Sequence, residues 1–318
     1  MNSTTINWTR VSVFGLYTAE GCIQVGGNIL VLLAIWRSKA LHRKEYCLPA
    51  ALAVADFFMG LGQLFAGSKR IYVLLSGTEF LYVSKWFCAW EIHQISLIIG
   101  GFAVPTMTLL ISVDRLIACG SILMYCRIRA QHIVVASAVG FLFAFSQLTI
   151  SFVATYLLPR TRIATRTCMV GDGTTGWMYQ LWNWFQFGAA LSSVIIYVVA
   201  MGLLYLKKDG DMSEVMRQNK ERQSRVTKML AFVILCTFFL QVIPCLIISG
   251  GVALGIPRRL FNVVIPTSWV LVNANSAVNL VIYFIKNREI RKTILSFFGI
   301  DAAGDEVTLV RPSKVSHQ

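Results

Sequence analysis

An ionised side chain at mid-bilayer costs about 2.5–3.5 kcal/mol on insertion scales, so an acid inside a long apolar run asks for a purpose. Asp56, in Leu52-Ala53-Val54-Ala55-Asp56, is such an acid. Asn28 follows Gly26-Gly27 in another run, and Asn273, Asn275, Ser276 and Asn279 line a third. Asn275 and Asn279 are four residues apart, so a helix stacks their amides on one face. Amides alone can simply glue helices together, at about 0.6 kcal/mol per bond. A carboxylate is harder to keep, and Asp56 with Asn28 and Asn279 reads as a polar hub near mid-membrane. Asp114-Arg115 ends a further run. Arg115 can snorkel to the headgroups, or pair with Asp114 as a breakable latch, a bistable element that a ligand biases.

None of this is catalytic equipment. An intramembrane enzyme needs a nucleophile with its base, or two acids at one depth. Asp56 has no second acid near its level, and His42, His93, His132 and His317 lie mostly at loops or ends. The eight cysteines show no CxxC pair and no zinc-like spacing with histidine, so no cofactor or metal site is expected.

These residues need elements to hold them, and composition says which. Of 318 residues, 56% are hydrophobic and 14% charged, against about 25% charged in a soluble domain. Mean hydropathy is +0.64. Soluble enzymes, disordered chains and ordinary nucleic-acid binders are excluded. Seven stretches of about 20 or more mostly apolar residues can cross a membrane as helices, at 11–36, 46–68, 86–118, 133–158, 181–206, 229–250 and 261–285. The second is the softest, since Gly60, Gly62 and Gly67 weaken its outer end. The fold class is therefore an all-α membrane bundle of seven helices. No cleavable signal peptide is evident, so the first span serves as its own insertion signal.

The net charge of +14 is explained by position. With the N-terminus outside, 20 of the 29 Lys and Arg fall in cytoplasmic segments, as the positive-inside rule demands. Two glycosylation sequons, at Asn2 and Asn7, agree with that orientation. The expected organisation is an extracellular N-terminus at 1–10, the bundle at 11–285, an amphipathic helix on the inner leaflet at 286–299 and a disordered cytoplasmic tail at 300–318. Ile290, Ile294, Phe297 and Phe298 share one face of that short helix, and Gly299 stops it. The basic segment 207–228 suits anionic lipid or an acidic partner equally.

Gly27-Asn28, Leu-Ala-x-Ala-Asp56, Asp114-Arg115 and Asn279-Leu280-Val281-Ile282-Tyr283 occur in order and at matching depths. With these the chain resembles the rhodopsin-like G-protein-coupled receptors over roughly residues 11–298, and among them it is most similar to the nematode serpentine chemoreceptors of the SX class. The resemblance implies a plasma-membrane receptor that couples a small extracellular ligand or short peptide to a heterotrimeric G protein. It implies that Arg115 reaches toward the G protein on activation while Asp114 restrains it at rest. Tyr283 would swing beneath the hub of Asn28, Asp56 and Asn279, and Cys88 would pair with Cys168. Sodium at Asp56 is a further family feature, for which Asn275, Ser276 and Asn279 fit but Val104 stands where a hydroxyl is common. Departures are also clear. Leu116 replaces the tyrosine of Asp-Arg-Tyr and Leu280 the proline of Asn-Pro-x-x-Tyr. Pro244 should kink span six, but Val242 stands where a tryptophan is expected. The separation of Cys88 and Arg115, 27 residues, exceeds the usual one by two.

A ligand entering such a bundle from outside meets Glu91, Gln94 and Leu97 on span three, Gln241 on span six, and Trp269 and Asn273 on span seven. Leu97 stands where amine receptors carry aspartate, which disfavours an amine. Trp182, Trp184 and Gln186 on span five also face this cavity; Trp86, Trp177 and Trp182 read more readily as an interfacial aromatic belt, whereas the deeper Trp269 suits a pocket. The competing function is a transporter or channel. It would show internal repeats and midplane charges, and spans four to seven contain no acid.

Overall fold

The computed structural model describes residues 8–158, 163–206, 224, 226–227, 230–253 and 258–300. The sequons at Asn2 and Asn7, most of segment 207–228 and the tail beyond Ile300 lie outside them. Seven helices among the described residues are long and apolar enough to cross a membrane, and the chain is a multi-pass membrane protein. They are α1 (Trp8–Arg37), α2 (Lys44–Leu75), α4 (Ile92–Gly120), α6 (Ala130–Tyr156), α7 (Gly176–Leu206), α8 (Leu230–Gly250) and α9 (Arg258–Lys286). Short helices α3 (Lys85–Ala89), α5 (Ile122–Arg127) and α10 (Arg288–Phe297) connect or follow them. α4 is buried along most of its length and packs against α2, α6 and α7. It is the axis of the bundle. α6 is mostly exposed along its length.

Three departures from the expected spans have physical causes. α2 continues to Leu75, because the glycines that weaken it as a sequence are its packing surface. A Cβ on Gly60 would lie 2.7 Å from the Gln24 side chain of α1, one on Gly67 2.6 Å from the Phe14 carbonyl, and one on Gly62 2.6 Å from Leu97 of α4. Small residues let helix backbones approach where lipid supplies no hydrophobic drive. The third span does not run unbroken from 86. α3 ends at Ala89, and Glu91 takes an extended conformation before α4 begins at Ile92. That break absorbs the long separation between Cys88 and Arg115. In α8 the expected distortion near Pro244 takes the form of a π-helical segment, Phe238–Val242. Proline lacks the N–H for its i−4 carbonyl and its ring clashes there, and one extra residue in the turn relieves both.

At one end of the bundle a two-stranded antiparallel ribbon joins β1 (Tyr82–Ser84) to β2 (Ile163–Thr165), Tyr82 facing Thr165. Cys88 and Cys168 form a disulfide beside it, their Cα atoms 5.3 Å apart. At the other end Asn287 caps α10, its side chain accepting from Ile290 N at 3.2 Å. Ile290 and Ile294 are buried, while Phe298 is exposed. Gly299, at φ +68°, ends it as glycines at helix C-termini do.

Candidate functional site

Asp56 is 1% exposed. Ser276 Oγ donates to its Oδ1 at 2.5 Å and Asn279 Nδ2 to its Oδ2 at 3.4 Å, so α9 supplies both partners. Asn28 is buried nearby in sequence logic but not in bonding: its Nδ2 donates to the Gln24 carbonyl of its own helix at 2.9 Å. A separate polar link ties α1 to α2 and α9: Gln24 Nε2 donates to Gln63 Oε1 at 3.1 Å and to the Asn273 carbonyl at 2.7 Å. Gln24 and Gln63 are polar residues in apolar spans and answer the same criterion that singled out Asn28. Asn275 links α9 to α8, donating to Gln241 Oε1 at 3.3 Å and accepting from Thr237 Oγ1 at 3.3 Å. Pro244 lies just beyond that link. Tyr283 is buried, and its hydroxyl has no hydrogen-bond partner among the described residues.

At the end away from the disulfide, Arg115 is 1% exposed. Its Nε donates to Asp114 Oδ2 at 3.0 Å and its Nη2 bonds the same oxygen. Nη2 also donates to the Tyr125 hydroxyl at 3.0 Å. Tyr125 belongs to α5, in the connection after α4, and nothing in the sequence marks it. Burial pushes its phenol up to about 12. Lys44 of α2 fixes α5 in turn, donating to the carbonyls of Tyr125 at 2.6 Å and Ile128 at 3.1 Å with its Nζ 4.0 Å from the Tyr125 ring centroid. Tyr197 of α7 donates to the Thr227 carbonyl. Asp114 and Arg115 thus form an ion pair, with a further partner from α5.

The residues expected to line a pocket divide into three groups. Glu91 is paired with Lys69 at 2.5 Å and approaches His93 Nδ1 at 3.8 Å. Gln94 Nε2 donates to the Val170 carbonyl at 2.7 Å, so it ties α4 to the loop that carries Cys168. Leu97 packs against Gly62, and Gln241 is spent on Asn275 deeper in the bundle. Only Trp269 and Asn273 remain near the centre of the disulfide half. Trp269 stacks on Trp182 of α7, ring centroids 5.0 Å apart at 16°. Trp182 is 4% exposed, which corrects the reading of it as an interfacial residue. Its indole sits over Gly101, where a Cβ would come within 2.1 Å of Nε1. One turn deeper Gln186 is buried, and among the described residues neither end of its amide nor the Trp182 Nε1 has a partner. A void of about 10 Å³ beside Trp182 and Met178 has room for one water. The two indoles thus join α7 to α9 across the centre of this half.

Residues 21–298 match the family model described as serpentine type 7TM GPCR chemoreceptor, Srsx. No curated protein matches the chain.

Proposed function

We propose, since the chain belongs to the Srsx family of serpentine seven-transmembrane GPCR chemoreceptors, that it binds a small extracellular ligand or short peptide in the disulfide half of the bundle and activates a heterotrimeric G protein at the Asp114–Arg115 end. That family is a chemosensory receptor family and not one of enzymes. The observation that carries the coupling half of the proposal is the buried Arg115, held by Asp114 and Tyr125 at a bundle end. Tyr125 holds this guanidinium from a different helix, so a small shift of α5 against α4 loosens the cluster, and interfaces of this kind are bistable.

The orientation proposed has the N-terminus outside and the C-terminus in the cytoplasm, at the plasma membrane. The charge distribution and the sequons at Asn2 and Asn7 support it. Residues 1–10 are then extracellular, 11–285 form the transmembrane domain, 286–299 lie along the inner leaflet and 300–318 form a cytoplasmic tail. Asn28, Asp56, Asn275, Asn279, Pro244 and Tyr283 serve in the conformational change. Glu91, Gln94, Leu97, Gln241, Trp269 and Asn273 shape the ligand half, Glu91 and Gln94 through the loop. Neither a cofactor nor nucleic acid enters this account. Sodium at Asp56 is a minor element of it, since Ser276 and Asn279 already engage both carboxylate oxygens.

The test is basal nucleotide exchange on a panel of G-protein α subunits, using membranes that hold the intact chain or Arg115→Ala. Exchange that requires Arg115 supports coupling and identifies the subunit. Solute uptake or ion current by the purified chain in liposomes, abolished by Asp56→Asn and indifferent to Arg115→Ala, would replace the receptor with a transporter or channel.

A further inference from the structure

Arg70, near the disulfide end of α2, is 4% exposed. Its Nε donates to the Thr167 carbonyl at 3.3 Å and its Nη2 to the Cys168 carbonyl at 3.2 Å. Both acceptors are neutral, and among the described residues no carboxylate forms an ion pair with it. The acids close by are committed. Glu91 is held by Lys69 at 2.5 Å. Asp172, which acts on Arg70 through space, accepts from Thr165 Oγ1 at 3.2 Å and from Met169 N at 3.0 Å. His93 adds no negative charge, and its Nε2 lies 3.1 Å from the same Cys168 carbonyl. A guanidinium withdrawn from water with carbonyls alone for partners is costly, and the usual remedy is a planar oxyanion on the fork. Nη1 makes no hydrogen bond among the described residues, so part of the fork is unused.

On another side Arg70 borders an aromatic cluster. Its Cζ lies 5.6 Å from the Phe14 ring centroid. Phe14, Tyr17 and Leu74 form a buried cluster against which Trp269 packs, and Trp269 is half of the stack with Trp182. A charged anchor therefore borders an aromatic wall that reaches the centre of the bundle.

We infer that Arg70 binds the carboxylate of a small organic acid whose apolar body lies against Phe14, Tyr17 and Trp269. The inference rests on the receptor reading and narrows it, since it assigns an acid rather than an amine or a neutral odorant to the ligand site. Arginine suits the task better than lysine, because its rigid fork matches both carboxylate oxygens.

The test uses the full chain in nanodiscs. Its melting temperature is followed during titration with benzoate, phenylacetate and octanoate and with the three matching primary amides, at constant ionic strength. At least one acid should raise the melting temperature at a concentration about tenfold or more below its amide, the preference expected of a charge-assisted fork. In Arg70→Gln that preference should fall to about twofold or less, each variant being compared with its own ligand-free value. Arg70→Lys retains the charge without the fork, and should show an intermediate preference. It carries the comparison alone if Arg70→Gln does not fold. Equal effects of acids and amides, no effect of either on the intact chain, or a preference that survives unchanged in the variants would each overturn the inference. Because no G protein is present, failure here leaves the coupling proposal standing, and silent nucleotide exchange leaves this site standing.

Discussion

Tyr125→Phe isolates one bond of the Arg115 cluster. The ring stays, so the Lys44 ammonium keeps its aromatic face at 4.0 Å, and the two carbonyls that Lys44 engages are backbone. Only the acceptor 3.0 Å from Arg115 Nη2 is removed. Hydrogen bonds to charged groups contribute about 1.5–3 kcal/mol. The lower end applies here, since Nη2 also bonds Asp114 and is not left bare. If the bond belongs to the resting arrangement alone, losing about 1.5 kcal/mol moves the resting-to-active ratio by roughly tenfold. Basal nucleotide exchange on purified G protein should therefore rise by up to about tenfold while the melting temperature falls slightly. The same substitution in an Arg115→Ala background should do nothing, because its partner is gone. Unchanged or lower exchange from a folded Tyr125→Phe receptor, or an equal rise without Arg115, would refute the reasoning.

Gly101→Ala should drive Trp182 off Gly101 and out of its stack, since the added Cβ would meet the indole at 2.1 Å. A cost of about 1–3 kcal/mol is expected, and unaltered tryptophan emission together with an unaltered melting temperature would contradict it. Asp56→Asn should fold with little loss, because the Asn279 amide can turn and present its unpartnered Oδ1 to the new donor. Asp56→Leu strands Ser276 and Asn279 and should cost about 2–4 kcal/mol; equal melting temperatures for the two variants would count against the hub. Cys88→Ser opens a closure of 80 residues and should lower stability by about 2–4 kcal/mol. Insensitivity of the intact chain to reductant, with the disulfide shown to be reduced, would argue otherwise.

Polar residues in apolar spans were the most readable part of the site, because the bilayer makes each one conspicuous. Asp56, Ser276 and Asn279 meet as their depths suggest. Asn28 does not join them, since a carbonyl one turn back on its own helix takes its donor, while Gln24 ties α1 to Gln63 and to the Asn273 carbonyl. Of the two readings of Trp182, belt and cavity, burial fits the second, because α7 starts at Gly176 and not 181 and the residue sits nearly two turns inside the helix. The break at Trp90 and Glu91 is invisible in hydropathy, although the separation of Cys88 from Arg115 hinted at it. The contacts of Tyr125 and Arg70 could not be recognised at all. Each acts through a backbone path, the docking of α5 or of the disulfide loop, that only tertiary packing decides.

The supply of both Asp56 partners from α9 also sets a timetable. Asp56 and Ser276 are separated by 220 residues, and at about 5–20 residues per second the ribosome needs about 10–45 s to bridge them. Throughout that interval the acid is already in the nascent bundle while Ser276 and Asn279 do not yet exist. α1 and α2 can close early through Gly60 and Gly67, but α9 must arrive before the carboxylate is satisfied. Substitutions at Ser276 and Asn279 should consequently show first as a loss of mature protein in pulse-chase, before any signalling is measured. That outcome would make the arrival of the last membrane helix a checkpoint in the maturation of the bundle.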